Sequence, residues 1–250
     1  MRKIIYILLF VFGLSSCEPE TPRNMVVMSG YVIANSDSVF VQYFEMDEEG
    51  YQIPVENAEL EIKRDELSWY LKKNENGIYY RDDVPFDFNA GEIVVLEAFG
   101  NTASQASALV PPNIQILESS SPTVNVNADN PFEEVYSTSW LNQEGYSYLL
   151  KLECLETDPV EIPFGVPSGL FQNTFSGPIE ESNLIVFASD FKYFGAHRLT
   201  IYIIEEEYSS LFFLRNQALG LTITEGADNI SGGKGFWTGI NAIEINLNLE

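Results

Sequence analysis

Histidine is almost absent from this sequence, because His197 is the only one in 250 residues. A catalytic triad, a multi-histidine zinc site or a histidine-based facial triad would therefore have to include it. Its neighbours Gly195, Ala196 and Arg198 form no nucleophile motif. We expect His197 at the surface or at the edge of a sheet. The sequence predicts no catalytic residue, no metal ligand and no cofactor.

Cysteine occurs only twice, at Cys17 and Cys154. If Cys17 carries a lipid, Cys154 has no partner and the chain forms no intramolecular disulfide. Alternation through residues 146–154 places Cys154 on the same face as Leu150 and Leu152. This pattern predicts a buried and unreactive thiol.

Positive charge is scarce as well, since 13 Lys and Arg residues stand against 37 Asp and Glu residues, a net charge of −24. Loss of an N-terminal signal would remove Arg2 and Lys3 but no acid, leaving a net charge of −26. Such a charge excludes general nucleic-acid binding, which depends on Lys and Arg at phosphates. It also disfavours docking on anionic lipid by charge, and it is common in solvated exported proteins.

The sequence has no apolar run long enough to span a membrane. Its longest, Ile4 to Leu14, follows Arg2 and Lys3. As a helix it would extend about 16 Å, against roughly 30 Å for the hydrocarbon core of a bilayer. A basic start followed by a short apolar segment is typical of a secretory signal.

The residues after this run, Leu14-Ser15-Ser16-Cys17, match the lipobox of bacterial lipoproteins. Small residues allow cleavage after Ser16. The thiol of Cys17 accepts diacylglycerol, and the amine freed by cleavage can then accept a further acyl chain such as palmitate. Two or three acyl chains hold a protein on a membrane permanently. The alternative is an ordinary cleaved signal with an incidental cysteine. We predict a signal peptide at residues 1–16 and a lipid anchor at Cys17.

Short strands dominate the next part of the chain. A polar, proline-containing tether at residues 17–24 leads into a first unit at residues 25–112. Residues 55–63 alternate between apolar and charged, and Asn76-Gly77 predicts a hairpin turn. Six or seven short strands in this region predict a small antiparallel β-sandwich.

The second half predicts another β-rich unit. Residues 113–133 have the composition of a linker, and residues 134–250 contain six predicted strands. The last of these, Ala242 to Leu249, alternates strictly, with Ile243, Ile245, Leu247 and Leu249 facing inward. A short helix is predicted at residues 206–216. The predicted fold is therefore all-β, with two antiparallel sandwich-like units.

Two further motifs have ordinary explanations. Gly232-Gly233-Lys234-Gly235 lacks the spacing and the hydroxyl of a phosphate-binding loop, so we expect a turn or a bulge before Phe236. Oxygen donors cluster at Asn125, Asn127 and Asp129, and again at Asp82, Asp83 and Asp87. Neither run has the glycine and distal glutamate of an EF-hand, which favours solvated loops over a calcium site.

The aromatic residues leave two interpretations open. Trp69, Trp140 and Trp237, together with 13 tyrosines, provide material for a sugar-stacking platform. Packing in the core or at a sheet edge is the more frequent role of such residues. Exposed Trp and Tyr on one face would indicate a glycan-binding surface, whereas inward-facing aromatics would indicate a structural role.

Several short motifs together resemble one family. In the first half they are Val55-x-Asn57-Ala58-x-Leu60-x-Ile62, Gly77-Ile78-Tyr79 and Val110-Pro111; in the second half they are Ala188-Ser189-Asp190-Phe191 followed by Gly195, and Asn229 to Trp237. The chain is similar to domain-of-unknown-function outer-membrane lipoproteins of Bacteroidota-type bacteria, often encoded beside TonB-dependent receptors. Its N-terminal half resembles immunoglobulin-like, transthyretin-like and carboxypeptidase-regulatory-like β domains. No catalytic residues are defined for the family, so none is implied here.

The resemblance implies a lipid-anchored, non-enzymatic accessory or binding protein at the bacterial outer membrane, on its periplasmic or its cell-surface side. Its partners would be the membrane, through the lipid, and a TonB-dependent receptor. The alternative is a surface glycan-binding module or a glycan hydrolase with two catalytic carboxylates, since such a hydrolase needs only two suitably separated acids. The sequence does not identify the ligand.

Overall fold

The computed structural model describes residues 24–34, 39–81, 87–100, 102–163, 175–209 and 228–250. The predicted signal peptide, Ser16 and Cys17 lie outside these residues, as does the second part of the predicted helix at 210–216. Residues 206–209 are helical, and Ala188–Asp190 form a 3₁₀ turn. The strands are β1 Met25–Ile33, β2 Val39–Met46, β3 Gln52–Pro54, β4 Glu59–Arg64, β5 Leu67–Tyr70, β6 Lys72–Lys73, β7 Ile78–Arg81, β8 Ile93–Phe99, β9 Ser104–Leu109, β10 Ile116–Ser119, β11 Thr123–Val124, β12 Glu134–Trp140, β13 Tyr146–Cys154, β14 Phe175–Ile179, β15 Asn183–Phe187, β16 Gly195–Glu205 and β17 Lys234–Leu249.

These strands form three sheets. A ten-stranded sheet has the order β14-β13-β16-β17-β1-β2-β7-β6, with β11 paired to β17 and β3 paired to β2. A four-stranded sheet, β5-β4-β8-β9, shares one core with the β1–β2 part of the large sheet. A three-stranded sheet, β10-β12-β15, shares a second core with the β13–β16 part. The fold is thus all-β with sandwich-like units, as predicted.

The long strand β17 belongs to both units. Its first part runs parallel to β1, with Val27 opposite Lys234 and Ile33 opposite Ile240. Its second part runs antiparallel to β16, with Ile204 opposite Ile240. The sequence predicted two separate strands here, and that prediction is wrong because the backbone stays extended through Asn241. The Asn241 side chain fixes this point by donating hydrogen bonds to the carbonyl of Pro111 and to Asn113 Oδ1, both 3.0 Å away.

The first core lies between the four-stranded sheet and the large sheet. Leu60 and Ile62 of β4 are fully buried there, as the alternation of residues 55–63 predicts. The predicted hairpin at Asn76-Gly77 is confirmed, because it connects β6 to β7 and Gly77 has a φ of +76°. Trp237 of β17 also lies in this core, so residues 228–239 contribute to the first unit although the sequence grouped them with the second.

The second core lies between the three-stranded sheet and the other part of the large sheet. Trp140 of β12 contacts Tyr148 of β13 edge to face, with ring centroids 5.1 Å apart. Leu247 and Leu249 are buried, and Ile243 and Ile245 pack against the same core while half-buried. The predicted inward face of the last strand is therefore confirmed.

A smaller apolar cluster lies on the opposite face of the large sheet. Leu149, Ile204 and Ile240 come together there from three neighbouring strands, and Tyr208 from the helical turn covers them. The large sheet is thus apolar on both faces where the two units join, which resists separation of the units at this point.

Candidate functional site

The first residues of β1 determine the point at which the predicted tether joins the folded part of the chain. Asn24 donates a hydrogen bond from Nδ2 to Glu45 Oε2 at 3.0 Å, and Met25 pairs with Met46 at the end of β2. Six residues lie between Cys17 and Asn24, so seven Cα–Cα steps connect them. Fully extended, they span at most about 25 Å.

A cleft of about 570 Å³ lies beside this point, between β3 and the start of β4. Glu45, Glu56 and Glu59 line it together with Ile53 and Phe99, which are 37% and 43% exposed. Nearby, Tyr43 donates a hydrogen bond to the carbonyl of Thr102 at 3.3 Å, and burial, assisted by Glu45, raises the Tyr43 pKa. The cleft suits a cationic or apolar group.

A second cleft of about 330 Å³ opens where β2 changes partners. The first part of β2 pairs with β7 and the second part with β3, so the two short strands diverge near Tyr43. Gln42 Oε1 is buried here, and no hydrogen-bond partner reaches it in the described part of the chain. Lys73 Nζ donates to the carbonyl of Val55 at 2.6 Å and lies 5.6 Å from the Tyr79 ring centroid. The Lys73 ammonium group is thus already bound. The cleft combines the amide side chains of Gln42, Gln52 and Asn76 with an apolar lining from residues such as Phe44, Pro54 and Ile78.

The glycine-rich motif joins the two sheets of the first unit. Asn229 accepts a hydrogen bond from the Trp237 amide at 2.9 Å and donates to the Trp237 carbonyl at 2.7 Å and the Ser107 carbonyl at 3.1 Å. Gly235 has a φ of +115°, and a Cβ there would lie 2.0 Å from the carbonyl oxygen of Met28. The glycines therefore allow close backbone approach, and the predicted turn before Phe236 is confirmed.

His197 is a core residue, so its predicted position at the surface or a sheet edge is wrong. Strand β16 lies between β13 and β17, and the His197 side chain is only 3% exposed. Its Nδ1 lies 3.1 Å from the carbonyl oxygen of Gly195, and its ring packs edge-on against Phe191. Burial lowers its pKa, which favours the neutral form. Alternation of His197 with Leu199 and Ile201 was the sequence signal for this position.

Cys154 is half-buried, so the prediction of full burial is also wrong. It is the last residue of β13, directly opposite His197, where the strand leaves the core. Its neighbour on the same face, Leu152, is 3% exposed. The thiol is free, and its position at a strand end explains its partial exposure.

The acidic runs form no metal site in the described residues. Asn127 Oδ1 accepts a hydrogen bond from the Asp129 amide at 3.0 Å, which stabilises a local turn. Asp82 and Asp83 lie outside the described ranges.

One pair of facing carboxylates is held by a lysine. Glu61 and Glu97 are directly opposite each other on the outer face of the four-stranded sheet. Lys63 Nζ lies 2.6 Å from Glu97 and 3.4 Å from Glu61. The contact with Glu97, and to a lesser extent the contact with Glu61, raises the Lys63 pKa. The ammonium group offsets the like-charge repulsion, so this pair has a structural explanation.

The tryptophans do not form an exposed platform. Trp140 and Trp237 are 1% and 0% exposed, and the Trp237 indole donates to the carbonyl of Val94 at 2.9 Å. Trp69 packs against the first core and Phe88. Two tyrosines, Tyr51 and Tyr70, are 66% and 59% exposed.

Comparison with known proteins assigns no family. No family model and no curated protein matches the chain. It is similar to the three N-terminal domains of the outer capsid protein Hoc of bacteriophage RB49, at 11% identity and a TM-score of 0.26, over 90% of this chain and 70% of that one. It is also similar to mutant Y1175G of Salmonella alpha-2-macroglobulin, at 11% identity and a TM-score of 0.26, over 90% of this chain and 14% of that one. TM-scores this low carry no argument about this chain.

None of the helices within the described ranges is long and apolar enough to cross a membrane.

Proposed function

We propose that this protein is a lipid-anchored, non-enzymatic accessory or binding protein of the bacterial outer membrane that works beside a TonB-dependent transporter. Cys17 is the anchor, exposed as the N-terminus by cleavage after Ser16. The observation that carries the proposal is the closeness of this cysteine to the fold, since Asn24 is already bonded to Glu45. A tether of at most about 25 Å holds the first unit near the membrane.

The chemistry of the described side chains supports a binding role. The single histidine is buried and packed against Phe191, and the facing carboxylates of Glu61 and Glu97 share Lys63. The two clefts of the first unit lie next to the residues where the tether leaves, and they offer a ligand surface close to the anchor.

The test is the chemical state of the N-terminus. Mass spectrometry of the protein from native outer membranes is expected to show an acylated Cys17, and Cys17→Ala is expected to release the protein from the membrane fraction or leave an uncleaved precursor. Cys154→Ala is the matched control and should stay in the membrane. An unacylated N-terminus at another residue would refute the anchor. Absence of a TonB-dependent receptor from material co-purified with the wild type would refute the partner.

A glycan-binding module is the second candidate, and the 330 Å³ cleft favours it. Its volume is at the lower end of the roughly 300–1,000 Å³ typical of ligand sites. A saccharide hydroxyl could donate to the Gln42 amide oxygen after a small side-chain rotation, which would remove the cost of an unpaired acceptor. Neutral saccharides should then raise the melting temperature, and Gln42→Leu should abolish the shift while Gln105→Leu retains it. No shift with any saccharide would reject this candidate. The hydrolase alternative would take its two catalytic carboxylates from Glu45, Glu56 and Glu59, which line the larger cleft, and it predicts release of reducing ends from a glycan.

A further inference from the structure

The three-stranded sheet has an exposed face that is partly apolar. In β15 the side chains alternate, with Leu184 and Val186 in the second core and Ile185 and Phe187 outside it. Ile185 is 48% exposed and Phe187 is 40% exposed. Between these residues and β10, strand β12 presents the small side chains of Ser137 and Ser139. The centre of this face therefore carries only small side chains.

More apolar surface adjoins both sides of this face. Phe132 is 73% exposed and lies at the end of the β12–β15 pair. The residues on either side of it are fixed there, because the Ala188 amide donates to the Glu133 carbonyl and the Ser189 amide donates to the Pro131 carbonyl. Leu117 of β10 is 55% exposed on the other side. Adjacent exposed apolar side chains of this kind are a feature of protein interaction sites.

One edge of this sheet is open to pairing. Strand β15 pairs with β12 on one side, and no strand in the described part of the chain pairs with its other side. Some other edges carry protection: β6 consists of Lys72 and Lys73, and Gln105 of β9 exchanges backbone hydrogen bonds with Ser231. Strand β15 contains no lysine and no proline. The Phe187 amide donates to Asp190 Oδ2 at 2.9 Å, so an added strand would pair along the rest of this edge.

The three strands of this sheet carry charge of one sign. The sequence has no Lys or Arg between Arg81 and Lys151, so β10 and β12 have none, and β15 has none either. Exposed carboxylates flank β15 at both ends, Glu180 and Glu181 before it and Glu133 and Glu134 beside its end. This field opposes a second copy of the same acidic chain and an anionic lipid surface, and it favours a basic segment.

We propose that the outer face and open edge of β15 bind an extended segment of a partner protein with apolar residues at its centre and basic residues at its ends. The segment adds a strand beside β15, places its apolar side chains against Ile185 and Phe187, and pairs its basic ends with the flanking glutamates. This rests on the proposed accessory role, to which it adds the partner-binding surface, and it does not depend on the lipid.

The test uses the purified mature chain and a synthetic peptide of about nine residues, the length of an ordinary strand. The peptide alternates valine and threonine at its centre and has lysines at both ends; a second peptide has glutamates in place of the lysines. Isothermal titration is expected to show saturable binding of the lysine peptide and none of the glutamate peptide. Ile185→Lys should weaken the affinity at least about tenfold. Ile93→Lys is the matched control, because Ile93 is 60% exposed on the outer face of the other small sheet, and it should bind as the wild type does.

Two further measurements test the charge of the surface and the identity of its partner separately. Glu181→Lys leaves the apolar face intact and should weaken binding of the lysine peptide, so it tests the charge argument even if Ile185→Lys lowers the melting temperature. A photo-crosslinker at Ser137 should capture a basic, extended segment of another protein in cells. Equal binding of both peptides, equal effects of Ile185→Lys and Ile93→Lys, or crosslinks to lipid or to a second copy would overturn the proposal. N-terminal acylation is read separately, so failure of this surface is distinguishable from failure of the anchor.

Discussion

Removing residues 239–250 should unfold the second unit and leave the first unit folded. The truncation takes away Ile240, Leu247 and Leu249, which are all at most 4% exposed, and every pairing of β17 with β16. It keeps residues 234–238 beside β1, and it keeps Trp237 with its hydrogen bond to Val94. The two cores therefore lose very different amounts of contact.

The magnitude follows from the buried side chains. Each fully buried aliphatic side chain contributes about 1.5–3 kcal/mol, so Leu247 and Leu249 of the second core contribute roughly 3–6 kcal/mol, and Ile240 of the smaller cluster adds about 1.5–3 kcal/mol. A domain is stable by only about 5–15 kcal/mol. Loss of this contribution, with exposure of the β16 edge, should be enough to unfold the second unit.

The tryptophans report the two cores separately. Trp140 lies in the second core and Trp237 in the first. In a background with Trp69 and Trp237 replaced by phenylalanine, truncation should abolish the thermal transition of Trp140 fluorescence. In a background that keeps only Trp237, the transition should remain. Within β17, Leu247→Ala should lower the free energy of unfolding by about 2–5 kcal/mol, while the exposed Asn246→Ala should change it by less than about 0.5 kcal/mol. An unchanged Trp140 transition, or simultaneous loss of both, would refute the reasoning.

Three further perturbations test other parts of the structure. Gly235→Ala should destabilise the first unit by about 2–5 kcal/mol in chemical denaturation, because the positive φ of Gly235 and the nearby Met28 carbonyl both disfavour a Cβ. Gly50 has open space around it, so Gly50→Ala should cost only about 1 kcal/mol. Equal effects of the two substitutions would contradict this prediction. Burial lowers the His197 pKa, so the unfolded state binds more protons than the folded state below about pH 6.5, and the free energy of unfolding should fall as the pH drops through that region. His197→Phe should reduce this pH dependence in melts run in parallel with the wild type. An unchanged pH dependence would exclude His197 as its source. Cys154 should react with a thiol reagent in the folded protein, more slowly than after denaturation, and identical rates would mean that its strand end gives no protection.

Local alternation was sufficient to predict most strands. Leu60 and Ile62, and later Leu247 and Leu249, face a core because a period of two places them there. The pairing of β1 with β17 could not be predicted from the sequence, because it joins residues about 200 positions apart in a parallel register that no local pattern encodes. The same limit explains the error over β17, whose two parts have different partners but one continuous backbone.

The candidate surfaces show the same division between local and long-range information. The run Leu184 to Phe187 is apolar at every position, so the sequence indicates a strand but not which side chains face solvent. The clefts arise where β2 exchanges β7 for β3 and where β3 approaches β4, which depends on pairings between separate segments. The proposed lipid anchor is the reverse case, since its prediction rests on four consecutive residues, Leu14 to Cys17, and needs no folded context.

The shared strand also relates the proposed anchor to the proposed docking surface. Strand β17 begins beside Val27, close to where the tether leaves, and it runs in the direction of β1 into the second unit, where Leu249 pairs with Gly195. Sixteen strand residues at about 3.3 Å each extend roughly 50 Å. Because a continuous strand within a ten-stranded sheet resists bending far more than a linker does, the second unit is held at a set distance from the tether. A lipid on Cys17 would thus keep the first unit at the membrane, and the second unit, which contains β15, would lie farther from the tether.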